Sequence, residues 1–97
     1  MSWGGLRFKR AGPEHRMSAI ENLAALYAST GKANDAIAAW RYGIETAPDH
    51  ESFYLNLATF YNSLDNRDAA RSVLERLLER NPANPRAKQA LSELDRR

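Results

Sequence analysis

The sequence predicts an all-α chain: a right-handed α-solenoid of two helix–turn–helix hairpins, closed by one further helix. Three observations carry this. The chain repeats itself at a fixed offset of 34 residues. Within each copy, apolar residues recur at the three- and four-residue intervals of a single helix face. Turn residues and prolines interrupt those stripes at matching places in both copies.

The repeat emerges when residues 17–50 are set above 51–84. Ser18/Ser52, Asn22/Asn56, Leu23/Leu57, Ala24/Ala58, Tyr27/Tyr61, Ser29/Ser63, Ala36/Ala70, Glu45/Glu79 and Pro48/Pro82 are identical, nine of 34 positions without a gap. Leu26/Phe60, Trp40/Leu74 and Ile44/Leu78 are similar. Self-similarity at such a period is the signature of a repeat architecture.

Each copy reads as two helices. Ile20, Leu23, Ala24 and Tyr27 form one stripe, broken at Gly31. Ala36, Ile37, Trp40 and Ile44 form the next. It ends at Ala47, because a residue ahead of proline is biased away from the α region. In the second copy Tyr54, Leu57, Ala58 and Tyr61 precede a turn at Leu64-Asp65-Asn66. Ala70, Val73, Leu74, Leu77 and Leu78 then run up to Pro82. Ala24, Ala36, Ala58 and Ala70 fall where the helices of a hairpin cross, and small side chains there let helix axes approach to about 8 Å.

Asn84-Pro85 marks a fifth helix start, an N-cap side chain followed by proline at the first helical position. Ala87, Ala90, Leu91 and Leu94 would face the preceding hairpin. Lys88, Ser92 and Asp95 stand where the full repeats carry Ile20, Ala24 and Tyr27 or Tyr54, Ala58 and Tyr61. That polar exchange predicts a helix without a following partner, the polar terminal unit a solenoid needs.

The chain is therefore divided into a basic N-terminal arm, 1–16, and a repeat domain, 17–97, made of units 17–50 and 51–84 and a capping helix 85–97. Gly12-Pro13-Glu14-His15 resembles Ala47-Pro48-Asp49-His50, so the arm reads as a remnant of a preceding repeat. Packing on the open face of the first helix, disorder, and docking on an acidic or membrane partner remain alternatives.

Ninety-seven residues bound the chain to one domain with a modest core. The absence of cysteine excludes disulfides and thiolate metal sites, and fits a reducing compartment. No apolar run reaches the length of a membrane span or a secretory signal, and a cytoplasmic location is expected. The net charge of +2 is uneven. Residues 1–16 carry +3, from Arg7, Lys9, Arg10 and Arg16 against Glu14, whereas ten basic and eleven acidic side chains leave 17–97 at −1. A neutral body lacks the basic stripe of a nucleic-acid binder.

No nucleophile elbow, phosphate loop or dinucleotide fingerprint is present. His15 and His50 each lie beside an acid, Glu14 and Asp49, and read as polar surface residues at turns in preference to a metal or acid–base pair. Glu75-Arg76 and Glu79-Arg80 read as a solvated helix face. No enzyme activity, cofactor or metal is expected.

The pattern resembles the tetratricopeptide repeat family. Ile20, Leu23, Ala24, Tyr27, Gly31, Ala36, Trp40, Gly43 and Pro48 match it in order, as do Tyr54, Leu57, Ala58, Tyr61, Ala70, Leu74, Leu77 and Pro82. Two departures stand out. Asp65 replaces the usual turn glycine, and Gly43 stands where alanine is usual, at a helix cost of about 0.5–1 kcal/mol.

The resemblance implies a concave groove lined by the first helix of each unit. In this register the groove holds Ser18, Glu21, Asn22, Ala25 and Ser29, then Ser52, Leu55, Asn56, Thr59 and Asn62, and is closed by Arg86, Gln89 and Glu93. Binding is expected to rest on Asn22, Ala25, Ser29, Ser52, Leu55, Asn56, Thr59, Asn62, Arg86 and Gln89. Asn22 and Asn56 are one repeat apart, and an asparagine amide both donates to and accepts from a peptide backbone. Some members clamp the C-terminal carboxylate of heat-shock chaperones. Asn56 and Arg86 match that clamp, but Glu21, Ala25 and Ala90 do not, and Glu21 would repel a carboxylate. The implied partner is a protein or peptide, an extended segment or helix of modest charge; nucleic acid and membrane are not expected. The alternative is a self-assembling subunit or assembly factor, because two repeats are fewer than the three or so usually needed for stability.

Overall fold

The computed structural model describes residues 13–96. Among them run five helices: α1 (Pro13–Ser29), α2 (Ala33–Thr46), α3 (Glu51–Ser63), α4 (Arg67–Arg80) and α5 (Pro85–Arg96). Residues 1–12, most of the basic arm, lie outside the described residues, and with them the alternatives weighed for it. Pro13, Glu14 and His15 are helical, although Gly12-Pro13-Glu14-His15 resembles the turn at 47–50. Proline suits the first position of a helix, because its missing N–H would have no partner there in any case.

The 34-residue offset extends to single hydrogen bonds. Within the hairpins, the Lys32 N–H donates to Tyr27 O and the Asn66 N–H to Tyr61 O, each at 2.9 Å. These are six-to-one closures that need a left-handed residue just before the donor. Gly31 supplies it at φ 79° and Asp65 at φ 61°, so aspartate does the work of the missing glycine. Between the units, Ala47 and Asn81 donate back to Gly43 and Leu77, and His50 and Asn84 donate to Ala47 and Asn81.

α1 packs on α2 and α3 on α4 to form the hairpins, and α2 leans on α3 as α4 leans on α5. The four crossing alanines, Ala24, Ala36, Ala58 and Ala70, are all buried. Around them Trp40, Ile44, Phe53, Tyr54, Leu57, Leu74 and Leu77 form a single core. Trp40 meets Phe60 across the first seam, ring centroids 5.4 Å apart and tilted by 50°. Its indole N–H is buried without a partner among the described residues. Equivalent residues differ in burial between the first described helix and an interior one. Leu57 is buried between neighbours, whereas Leu23, one repeat earlier, is 44% exposed. No described helix is long and apolar enough to cross a membrane.

The structure supplies the reason for Gly43. The Phe53 ring sits directly on its backbone, so a Cβ there would lie 2.8 Å from the ring carbons. Thirty-four residues later the sizes are exchanged: Leu77 stands for Gly43 and Ala87 for Phe53, and all four residues are buried. Each seam thus pairs one large residue with one small one.

Gly43→Ala is expected to destabilise the fold by about 1–3 kcal/mol through overpacking, outweighing its gain in helix propensity. Gly43→Ala/Phe53→Leu should recover part of that loss, read by urea denaturation followed by circular dichroism.

Candidate binding groove

The outer faces of α1, α3 and α5 join into one surface through side chains that reach across the seams. Glu21, halfway along α1, accepts from Asn56 Nδ2 at 2.7 Å and lies 3.1 Å from His50 Nε2. A carboxylate only accepts, so Nε2 of His50 carries the hydrogen. Glu51, at the start of α3, has the equivalent role in the second seam. It accepts from Asn84 Nδ2 at 2.6 Å and from Arg86 Nη1 at 3.0 Å.

His50 and Asn84 are equivalent by the offset, and each ties the turn before a first helix to a carboxylate of the preceding first helix. Asn84 does more. It is buried, and its Oδ1 accepts the N–H groups of Arg86 and Ala87 at 3.0 and 3.1 Å, capping α5. On the other side of the turns, Arg80 donates to Asp49 at 2.9 Å. These largely exposed ion pairs are each worth under about 1 kcal/mol. The two clusters around Glu21 and Glu51 link each first helix to the next across the seams.

Two hollows open on this surface. One, of about 410 Å³, is lined by Met17, Ser18, Glu21, Asn22, His50 and Ser52. The other, of about 280 Å³, lies between α3, α4 and α5, with Leu55, Ala58, Ala70, Leu74, Ala90 and Leu94 as its apolar wall and Thr59, Asn62 and Glu93 as its polar one. Of the residues expected to bind, Asn22 and Ser52 fall in the first hollow, and Leu55, Thr59 and Asn62 in the second. Asn56 is exposed near Glu21, with one amide hydrogen already committed. Arg86 is held by Glu51. Ala25, Ser29 and Gln89 are exposed and line neither hollow, and the Ser29 hydroxyl is turned back to Leu26 O.

Sequence reasoning treated His50 as a lone surface residue and missed its bond to Glu21. It also passed over Leu74 and Leu94 as floor residues. The second was detectable, because the offset sets Leu74 and Leu94 against Trp40 and Phe60. The first was not, since 29 residues separate Glu21 from His50 and the repeat has no second copy of that pair. Among the described residues no group of acids and histidines could hold a metal.

The stacked hairpins, their 34-residue register and the shared face of their first helices define a helical-repeat solenoid. The sequence profile of the tetratricopeptide repeat matches residues 27–94, about 70% of the chain, and the chain belongs to that family. Such repeats generally mediate protein–protein interaction or scaffolding. No curated protein matches the sequence.

Tyr54 offers a check on the seam. Its hydroxyl donates to Pro48 O at 2.5 Å. Burial raises its pKa above the usual 10, with the Arg80 and Arg76 charges opposing the rise. A raised folded-state pKa favours the folded chain below pH about 10, and that contribution is lost as the pH climbs through the folded value. Stability should therefore fall more steeply for the parent than for Tyr54→Phe in urea melts taken from pH 8 to 11.

Proposed function

We propose that the chain is a non-catalytic binding module that holds an extended peptide segment, or one face of a partner helix, against the first helices α1, α3 and α5. The observation that carries this reading is the continuity of that face. Hydrogen bonds across both seams link α1 to α3 and α3 to the start of α5, and the reading is supported by Asn22, Asn56 and Leu55 lying on the face so joined, beside hollows that combine amides with apolar floor. Preorganised polar groups beside apolar surface suit a main chain with occasional apolar side chains. Glu21, already engaged by Asn56 and His50, disfavours a partner carboxylate and favours a neutral or basic segment.

Capture from a lysate tests this. The parent chain should retain a partner that Asn22→Ala/Asn56→Ala loses, while the variant keeps the parent's helical signal. Asn56→Ala removes one exposed hydrogen bond to Glu21, worth about 1 kcal/mol, too little to unfold the chain. Equal retention by both chains would move the binding surface away from the groove.

A second reading has its own observation. Leu23, Leu26 and Tyr42 are 44%, 57% and 59% exposed. With Ile20 and Tyr27, Leu23 and Tyr42 line a mostly apolar hollow on the open side of the first hairpin. Self-assembly through that face would bury them, at about 1.5–3 kcal/mol for each large side chain. Melting temperature should then rise with protein concentration for the parent and not for Leu26→Asp; a concentration-independent parent rules this reading out.

A further inference from the structure

The two seams of the solenoid are related by the 34-residue offset, yet they are filled differently. In the first, Trp40 from α2 packs ring to ring with Phe60 from α3. In the second, the same positions hold Leu74 and Leu94, so two aromatic rings are replaced by two smaller aliphatic side chains. On the groove side Ala90 replaces Asn56 as well. The hollow of about 280 Å³ between α3, α4 and α5 opens where those groups are missing, with Leu74 and Leu94 in its wall. It falls short of the roughly 300–1,000 Å³ of sites for whole small molecules, and a single large side chain matches its size better.

The mouth of the hollow has a charge of its own. Glu93 and Asn62 lie on its lining with Thr59. The ion pairs of arginines among the described residues use Asp49, Glu51 and Asp95, Glu21 is taken up by His50 and Asn56, and Glu93 is in none of these contacts. A segment entering here meets an apolar wall and, at its edge, a carboxylate that no described cation neutralises.

We propose that this hollow is a specificity pocket for an aromatic side chain of the bound segment, with a neighbouring lysine or arginine of that segment reaching Glu93. The ligand ring takes the place that Trp40 and Phe60 fill in the first seam, between the same kinds of helices. The pocket rests on the groove reading given above and adds to it the composition of the partner: an aromatic residue next to a basic one.

The experiment is a titration of the full chain, ¹⁵N-labelled, followed by its amide resonances. The probes are three short peptides: acetyl-Ser-Trp-Lys-Ser-amide, the same with alanine for tryptophan, and the same with glutamate for lysine. The first should shift the amides of Leu74, Ala90 and Glu93 saturably. The alanine peptide should bind there at least about ten-fold more weakly, having lost the ring. The glutamate peptide should bind about two- to five-fold more weakly, the scale of an exposed ion pair.

Leu94→Phe copies the packing of the first seam. It should raise the melting temperature while abolishing the shifts at Leu74 and Ala90. Should that variant fail to fold, Glu93→Gln, at an exposed position, still decides: the lysine and glutamate peptides should then bind alike. Equal binding of the tryptophan and alanine peptides, or unaltered binding by a folded Leu94→Phe chain, overturns the pocket. Shifts at Asn22 and Asn56 that ignore the aromatic residue overturn the pocket and leave the groove reading standing. Silence everywhere also overturns the pocket, and the capture experiment with the asparagine variants then decides the groove independently.

Discussion

The spacing of this solenoid is set where the second helix of one unit meets the first helix of the next. There the Phe53 ring lies on bare backbone at Gly43, and 34 residues later Leu77 stands where Gly43 does and Ala87 where Phe53 does. A helix pair held apart by two large residues, or collapsed on two small ones, would shift every contact beyond it. Glu21 could not then reach Asn56, nor Glu51 reach Asn84. The polar face is a consequence of apolar packing one layer below.

Much of the architecture was legible in the sequence. The offset gave the two units, the alanine positions marked the crossings, and the prolines and Gly31 marked the turns. Asp65 in a glycine position was readable too, because aspartate tolerates the left-handed region better than most residues. Gly43 was legible only as a departure. Its cause is a ring ten residues along the chain in another helix, and no local propensity encodes that. The helical state of residues 13–15 ran against the likeness of 12–15 to the turn at 47–50. That likeness lay in residue types, whereas the turn at 47–50 follows the end of α2, and no described helix precedes Pro13.

The candidate groove was legible to a lesser degree. Its lining followed from register alone, but which residues share a hollow depends on side-chain size at positions that periodicity treats as alike. Trp40 and Leu74 count equally as apolar in a helical stripe, yet one fills a seam and the other leaves it open. The state of Glu21 was likewise hidden. As a bare charge it reads as a repulsive element, whereas in the fold it is a hub that accepts from His50 in the turn between the units and from Asn56 of the next unit.

The helix starts differ between the two units. Asn66 caps α4 and Asn84 caps α5 with side-chain oxygens, whereas Lys32 and His50, at the matching positions, cap neither α2 nor α3. Each such cap is worth about 1 kcal/mol. The first hairpin also leaves Leu23 and Leu26 open to water. At their starts, therefore, the helices α2 and α3 are held less firmly than α4 and α5. A ligand bridging Asn22 to Asn56 would span the uncapped start of α3, so some of its binding energy would be spent on holding a helix end that has no side-chain cap of its own.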